Sequence, residues 1–130
     1  MKITPDIITE LQDNQIFVFG SNEAGIHGAG AAKLAREKFG AIGGEGFGLQ
    51  GKSYAIPTKD YDIITLNLNR IALYVKAFLV EAYRHSDLNF LVTEIGCGLA
   101  GYKPEDIAPL FKGAPENVFL PKRFVDILEK

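Results

Sequence analysis

Two glycine-rich turns, each placed directly after a short apolar run, constrain this chain more than anything else in it. The first run, Ile16-Phe17-Val18-Phe19, feeds Gly20-Ser21-Asn22-Glu23-Ala24-Gly25-Ile26-His27-Gly28-Ala29-Gly30. The second, Phe90-Leu91-Val92-Thr93-Glu94-Ile95, feeds Gly96-Cys97-Gly98-Leu99-Ala100-Gly101. Short runs rich in β-formers read as buried strands. Glycine lets backbone N–H groups approach a ligand without a Cβ in the way, and it reaches positive φ cheaply. A strand, a glycine turn and a helix start together make an anion site, because unpaired N–H groups and the helix dipole both favour phosphate. Two such turns in one small chain imply a ligand gripped from two sides.

The remaining segments complete an alternating pattern. Thr4-Pro5-Asp6 has the form of a helix start, predicting a short helix through Leu11. Ala31 to Phe39 reads as a helix closed by Gly40. Gly40 to Gly51 holds six glycines with no periodicity and reads as a loop, long for so small a domain. Ser53 to Pro57 is a strand that proline should end, and Ile63 to Leu66 has the makings of an edge strand. Ile71, Tyr74, Val75, Phe78, Leu79 and Ala82 fall at helical spacing. Pro104-Glu105-Asp106 opens another helix, Asn117 to Leu120 gives a last strand, and Pro121 starts a C-terminal helix burying Phe124, Val125 and Leu128. Strands alternating with helices imply one α/β domain over residues 1–130, with a three-layer α/β/α build and a mostly parallel or mixed central sheet.

Composition excludes several function classes. The 130 residues carry 14 basic and 16 acidic side chains with no lysine or arginine cluster, so no groove for nucleic acid is expected. No apolar stretch approaches the ~20 residues of a membrane span, and no signal-peptide core is visible. The lone Cys97 fits a reducing compartment, so a soluble cytoplasmic protein is expected. Two histidines and one cysteine at unrelated spacings make no zinc site, and no cofactor is called for.

The order strand, Ser21-Asn22, glycine loop, helix, Tyr54-Ala55-Ile56-Pro57, helix, strand and Gly96-Cys97-Gly98-Leu99-Ala100-Gly101-Tyr102 resembles the macro domain. The likeness runs from Ile16 to Phe111 and is closest to a macro-like branch of the kind found in phages and bacteria. Members of that family bind ADP-ribose and related nucleotides, and some hydrolyse them. The resemblance implies that Asn22 faces the distal ribose, next to Ser21. It makes Gly25, Gly28 and Gly30 the first phosphate loop, and Gly96, Cys97, Gly98, Leu99, Ala100 and Gly101 the second. It places Tyr102 as the aromatic over the distal ribose, and Asp6 in Pro5-Asp6-Ile7 as the acid that holds the adenine amino group. Gly20-Ser21 stands where the family has two alanines, and Cys97 where a small hydroxyl residue is usual. The implied partner is an ADP-ribose-like small molecule or an ADP-ribosylated macromolecule.

Single residues leave alternatives open. His27 is either a general base or phosphate donor, or a loop histidine bonded locally. Cys97 is either an activated nucleophile or a small side chain where backbone hugs a ligand. Glu94, a carboxylate on an apolar strand, is costly there unless paired or near the ligand. Lys59 and Asp60 either reach the mouth of the site or are solvated loop charges. Phe47 and Tyr54 either wall the site or pack in the core, and His85 reads as a helix C-terminal residue. Apart from the resemblance, Asp6 reads as an ordinary first-turn acid. As a hydrolase of an ADP-ribosyl or phosphate ester bond, the chain would orient ribose with Asn22 and activate water with His27 or with the ligand's own phosphate. The rivals are a reader without chemistry, and a Rossmann-like nucleotide domain with Glu45 as its ribose acid.

Overall fold

The computed structural model describes all residues, Met1–Lys130. Five strands, β1 (Gln15–Asn22), β2 (Gly48–Gln50), β3 (Ser53–Lys59), β4 (Asn89–Val92) and β5 (Val118–Phe119), form one mixed sheet in the order β2-β3-β1-β4-β5. The β3, β1, β4 and β5 strands are parallel, and β2 runs antiparallel to β3. Four α-helices cover it: α1 (Gly30–Lys38), α2 (Leu68–Arg84), α3 (Pro104–Ile107) and α4 (Lys122–Leu128), with a 3-10 turn at Ala108–Phe111.

Alternation along β1 separates the two apolar layers. Phe17 and Phe19 face α1, packing with Ala35, Phe39 and Ala55, while Ile8 and Leu11 of the N-terminal segment close that side. Ile16 and Val18 face the opposite, larger core with α2, the 3-10 turn and α4. Phe78 of α2 centres this layer, its ring 4.9 Å from Tyr54 and 5.5 Å from Phe90. The α2 helix forms where the apolar spacing predicts, burying Ile71, Val75, Phe78 and Ala82, and Asn67 Oδ1 caps it by accepting from Arg70 N–H at 2.9 Å. Helices on both faces make the three-layer α/β/α arrangement expected from the sequence.

Several local expectations are overturned. No helix forms between Thr4 and Leu11. Instead Ile3 bridges to Leu120, Thr4 N–H donates to Leu120 O at 2.8 Å, and Thr4 Oγ1 donates to Val92 O at 2.8 Å. Pairing along the sheet end satisfies the backbone groups that a helix would have used. The glycine-rich loop ends as β2, paired with Ser53–Ala55. Because β2 stops there, Pro57 lies beyond its reach and β3 continues through it to Lys59. Ile63 to Leu66 forms no strand, only the single bridge Lys59–Thr65. The β4 strand ends at Val92, and Thr93 turns back to bond Val18 O through both its N–H and its hydroxyl. No helix is long and apolar enough to cross a membrane.

Candidate functional site

The neighbouring strands β1 and β4 part company at their carboxyl ends. From β1 the chain passes to α1 on the Phe17 face, and from β4 it passes to α3 on the opposite face. Open α/β sheets form their ligand crevices at such points of divergence. A cavity of about 410 Å³ opens there, within the ~300–1,000 Å³ of small-molecule sites. Its floor is residues 20–22 at the end of β1, one wall is residues 28–32 leading into α1, and the other is Gly96 with residues 98–100. The two glycine turns therefore meet across one space.

The glycines divide by physical reason. Gly25, at φ +73, carries no Cβ because one would sit 2.3 Å from backbone atoms of Gly44 and Glu45; it lies outside the cavity lining and packs one loop on another. Gly96, at φ +74, is held by its backbone conformation and by Ile107, whose Cδ1 would stand 2.9 Å from an added Cβ. Gly30 and Gly101 also have positive φ, and Gly101 is not in the lining. Gly28 and Gly98 differ from all of these. Neither has positive φ, a Cβ on either meets nothing within 4 Å, and both line the cavity. Nothing inside the protein requires glycine at these two positions.

Residues with unpaired backbone donors border the same space. The N–H groups of Gly28, Ala29, Gly96, Gly98, Leu99 and Ala100 reach no acceptor within the protein, and no side chain caps α1 at Ala29. Such groups are hydrated when alone and bind phosphate when offered one. Lys59, half-buried in the lining and paired in register with Asn22, has no carboxylate within ion-pair distance. Of the pair Lys59 and Asp60, the structure puts Lys59 in the cavity lining and leaves Asp60 outside it. The signal for the placement of Lys59 is its position at the end of a strand that must lie beside the first loop's strand.

The side chains named from sequence are placed unevenly. Asn22 lines the cavity, but its amide is engaged with Ile26, donating from Nδ2 to the carbonyl at 2.8 Å and accepting at Oδ1 from the N–H at 2.9 Å. Ser21 also lines it, buried, with Oγ donating to Asn22 O at 3.2 Å. His27 is corrected as a general base for this cavity. The residue is only 2% exposed, its ring stands edge-on to Phe19 at 5.3 Å, and it is absent from the lining. Nε2 lies 3.1 Å from Ile42 O and 3.2 Å from Glu45 O, so it carries the proton and ties the first loop to residues 42–45, while Nδ1 is buried without a partner. Glycines close on either side in sequence let the chain turn this ring inward.

Cys97 faces the core rather than the cavity, and burial, with the Glu94 charge adding to it, pushes its thiol up to about 11. Tyr102 also packs on the core, its hydroxyl donating to Leu66 O at 2.7 Å, so it does not cover the cavity. Phe47 and Tyr54 pack edge-on or tilted against Tyr74 and Phe78 of α2, outside the cavity lining. Leu99 and Ala100 are in the lining.

Asp6 lies in a second cavity of about 550 Å³ with Thr4, Phe17, Leu34 and Arg123. Thr93 and Glu94 belong to the linings of both cavities, so the two adjoin. Glu94 at that junction is gripped by Arg123 through two hydrogen bonds of 2.7 Å, which hold its carboxyl below the usual range despite partial burial. No protein-family model, curated protein or solved structure matches the chain.

Proposed function

We propose that this chain is a macro-like domain that binds a nucleotide diphosphate of the ADP-ribose type, its phosphates lying between the two glycine turns. One observation carries the reading: unpaired N–H groups of Gly28 and Ala29 on one side, and of Gly96, Gly98, Leu99 and Ala100 on the other, border one cavity. An anion there exchanges water for fixed dipoles and meets the Lys59 charge. Gly28 and Gly98, which the fold does not need as glycines, keep the path to those donors open.

Binding without turnover is the reading the site favours. Its only two titratable lining groups are Lys59, a cation, and Glu94, held ionised by Arg123. A carboxylate with lowered pKa is a weak general base. Asn22 acts by shaping the loop that presents the donors.

Calorimetric titration with ADP-ribose, set beside NAD, AMP and ribose 5-phosphate, tests this directly. The expected result is tightest binding to ADP-ribose and loss of at least tenfold affinity in Gly28→Val and Gly98→Val, both remaining folded. No heat with any adenine diphosphate at millimolar concentration, or unchanged affinity in both variants, overturns the proposal. Release of ADP-ribose from a modified peptide would replace the reader by a hydrolase.

A further inference from the structure

Ile63 is the only residue other than glycine with positive φ, at 64°. A β-branched side chain is costly in that conformation, so the surroundings must impose it. They do. Asp60 Oδ1 accepts from Asp62 N–H at 2.8 Å and from Ile64 N–H at 3.0 Å, and Asp60 N–H donates to Ile64 O at 2.8 Å. Ile63 N–H donates to Asp60 O at 3.1 Å, and Thr65 Oγ1 ties the segment to the second glycine turn through Ala100 O at 3.0 Å.

The constrained residue lines the cavity while staying 41% exposed. Two other branched apolar side chains line it from the glycine turns, Ile26 at 59% and Leu99 at 81% exposure. None of the three packs on either core. Single exposed apolar residues are ordinary, but three from separate loops lining one cavity call for a reason.

Resting on the binding reading above, we infer that the segment Lys59–Thr65 is a third wall of the site, whose Ile63 packs with Ile26 and Leu99 against a flat ring carried beside the ligand's phosphates. A sugar, with hydroxyls over most of its surface, gains less from three aliphatic groups than a nucleobase or nicotinamide-type ring, which has a broad apolar face to bury. The wall thus selects ring-bearing phosphates over bare sugar phosphates.

The test compares ADP-ribose and AMP with inorganic pyrophosphate and ribose 5-phosphate, using Ile63→Gly and Ile63→Asn. Glycine and asparagine tolerate the left-handed backbone, so the loop keeps its shape and the melting temperature holds or rises. The expected result is roughly 5- to 10-fold weaker binding of ADP-ribose and AMP, with pyrophosphate and ribose 5-phosphate, which carry no base, unchanged. Equal weakening of all four, or of none, overturns the wall while leaving the phosphate site standing. Wild-type protein that binds none of the four overturns both.

Discussion

Asn22 and Ile26 exchange two hydrogen bonds, side-chain amide to backbone, that close the first glycine turn into a ring beneath the cavity. Both bonds are partly buried, so removing the amide leaves Ile26 N–H and C=O without their partner in a half-sheltered place. Asn22→Ala is expected to cost about 1–3 kcal/mol, and Asn22→Asp, which keeps the acceptor, less than Asn22→Ala. Urea denaturation of the three proteins measures the order. Reversal of the order would show that the added charge matters more than the lost donor.

Beside the His27 contact, the loop from Gly40 to Gly51 meets that ring by close backbone approach, Gly44 N–H donating to Gly25 O at 2.9 Å. A Cβ at Gly46 would lie 2.0 Å from Asn22 O, whereas one at Gly43 meets nothing within 4 Å and needs no positive φ. Gly46→Ala is therefore expected to destabilise by more than about 3 kcal/mol, and Gly43→Ala to be neutral or stabilising by up to about 1 kcal/mol. Thermal melts of the pair check the contrast. Equal effects would contradict the close approach of the two loops.

The four parallel strands are legible in the sequence as short apolar runs and α2 by its clear spacing, whereas β2, whose Gly48-Leu49-Gln50 has no strand pattern, and the missing strand at Ile63–Leu66 are not. The meeting of the two glycine turns follows from the same pattern. Backbone competition is not legible: nothing in Thr4-Pro5-Asp6 announces that Leu120 and Val92 will take its hydrogen bonds. Equally hidden is the division of labour among glycines, since Gly25 and Gly28 look alike in sequence yet one packs on Gly44 and the other opens onto the cavity. The place of His27 is hidden for a related reason. Its inward turn depends on carbonyls of Ile42 and Glu45, in a loop whose path has no sequence period.

Cys97 is expected to be a slow thiol. Burial and the nearby Glu94 carboxylate raise its pKa from an ordinary 9.0 to about 11. The thiolate fraction at neutral pH is then roughly 100-fold below that of an unperturbed cysteine, and alkylation slows in proportion. Iodoacetamide labelling followed by mass from pH 7 upward measures this. A rate matching free cysteine at neutral pH would place the thiol in solvent.

The Glu94–Arg123 pair gives stability a defined pH dependence. Arg123 holds the folded-state carboxyl below its ordinary value of 4.5, so folding favours the ionised form. The contribution is present in full above the unfolded pKa and is lost as pH falls through the depressed folded value. Both side chains are partly solvated, Arg123 at 62% and Glu94 at 35% exposure, so salt screens the pair and the effect is small. Arg123→Gln removes both causes that lower the Glu94 carboxyl and leaves only partial burial, which raises it. Its deficit against wild type is then expected to be constant near neutral pH and to shrink as pH drops below about 4.5. Denaturation midpoints of both proteins across that range, at low and high salt, provide the measurement. A deficit that stays constant in acid would assign the role of Arg123 to packing of its side-chain stem rather than to its charge.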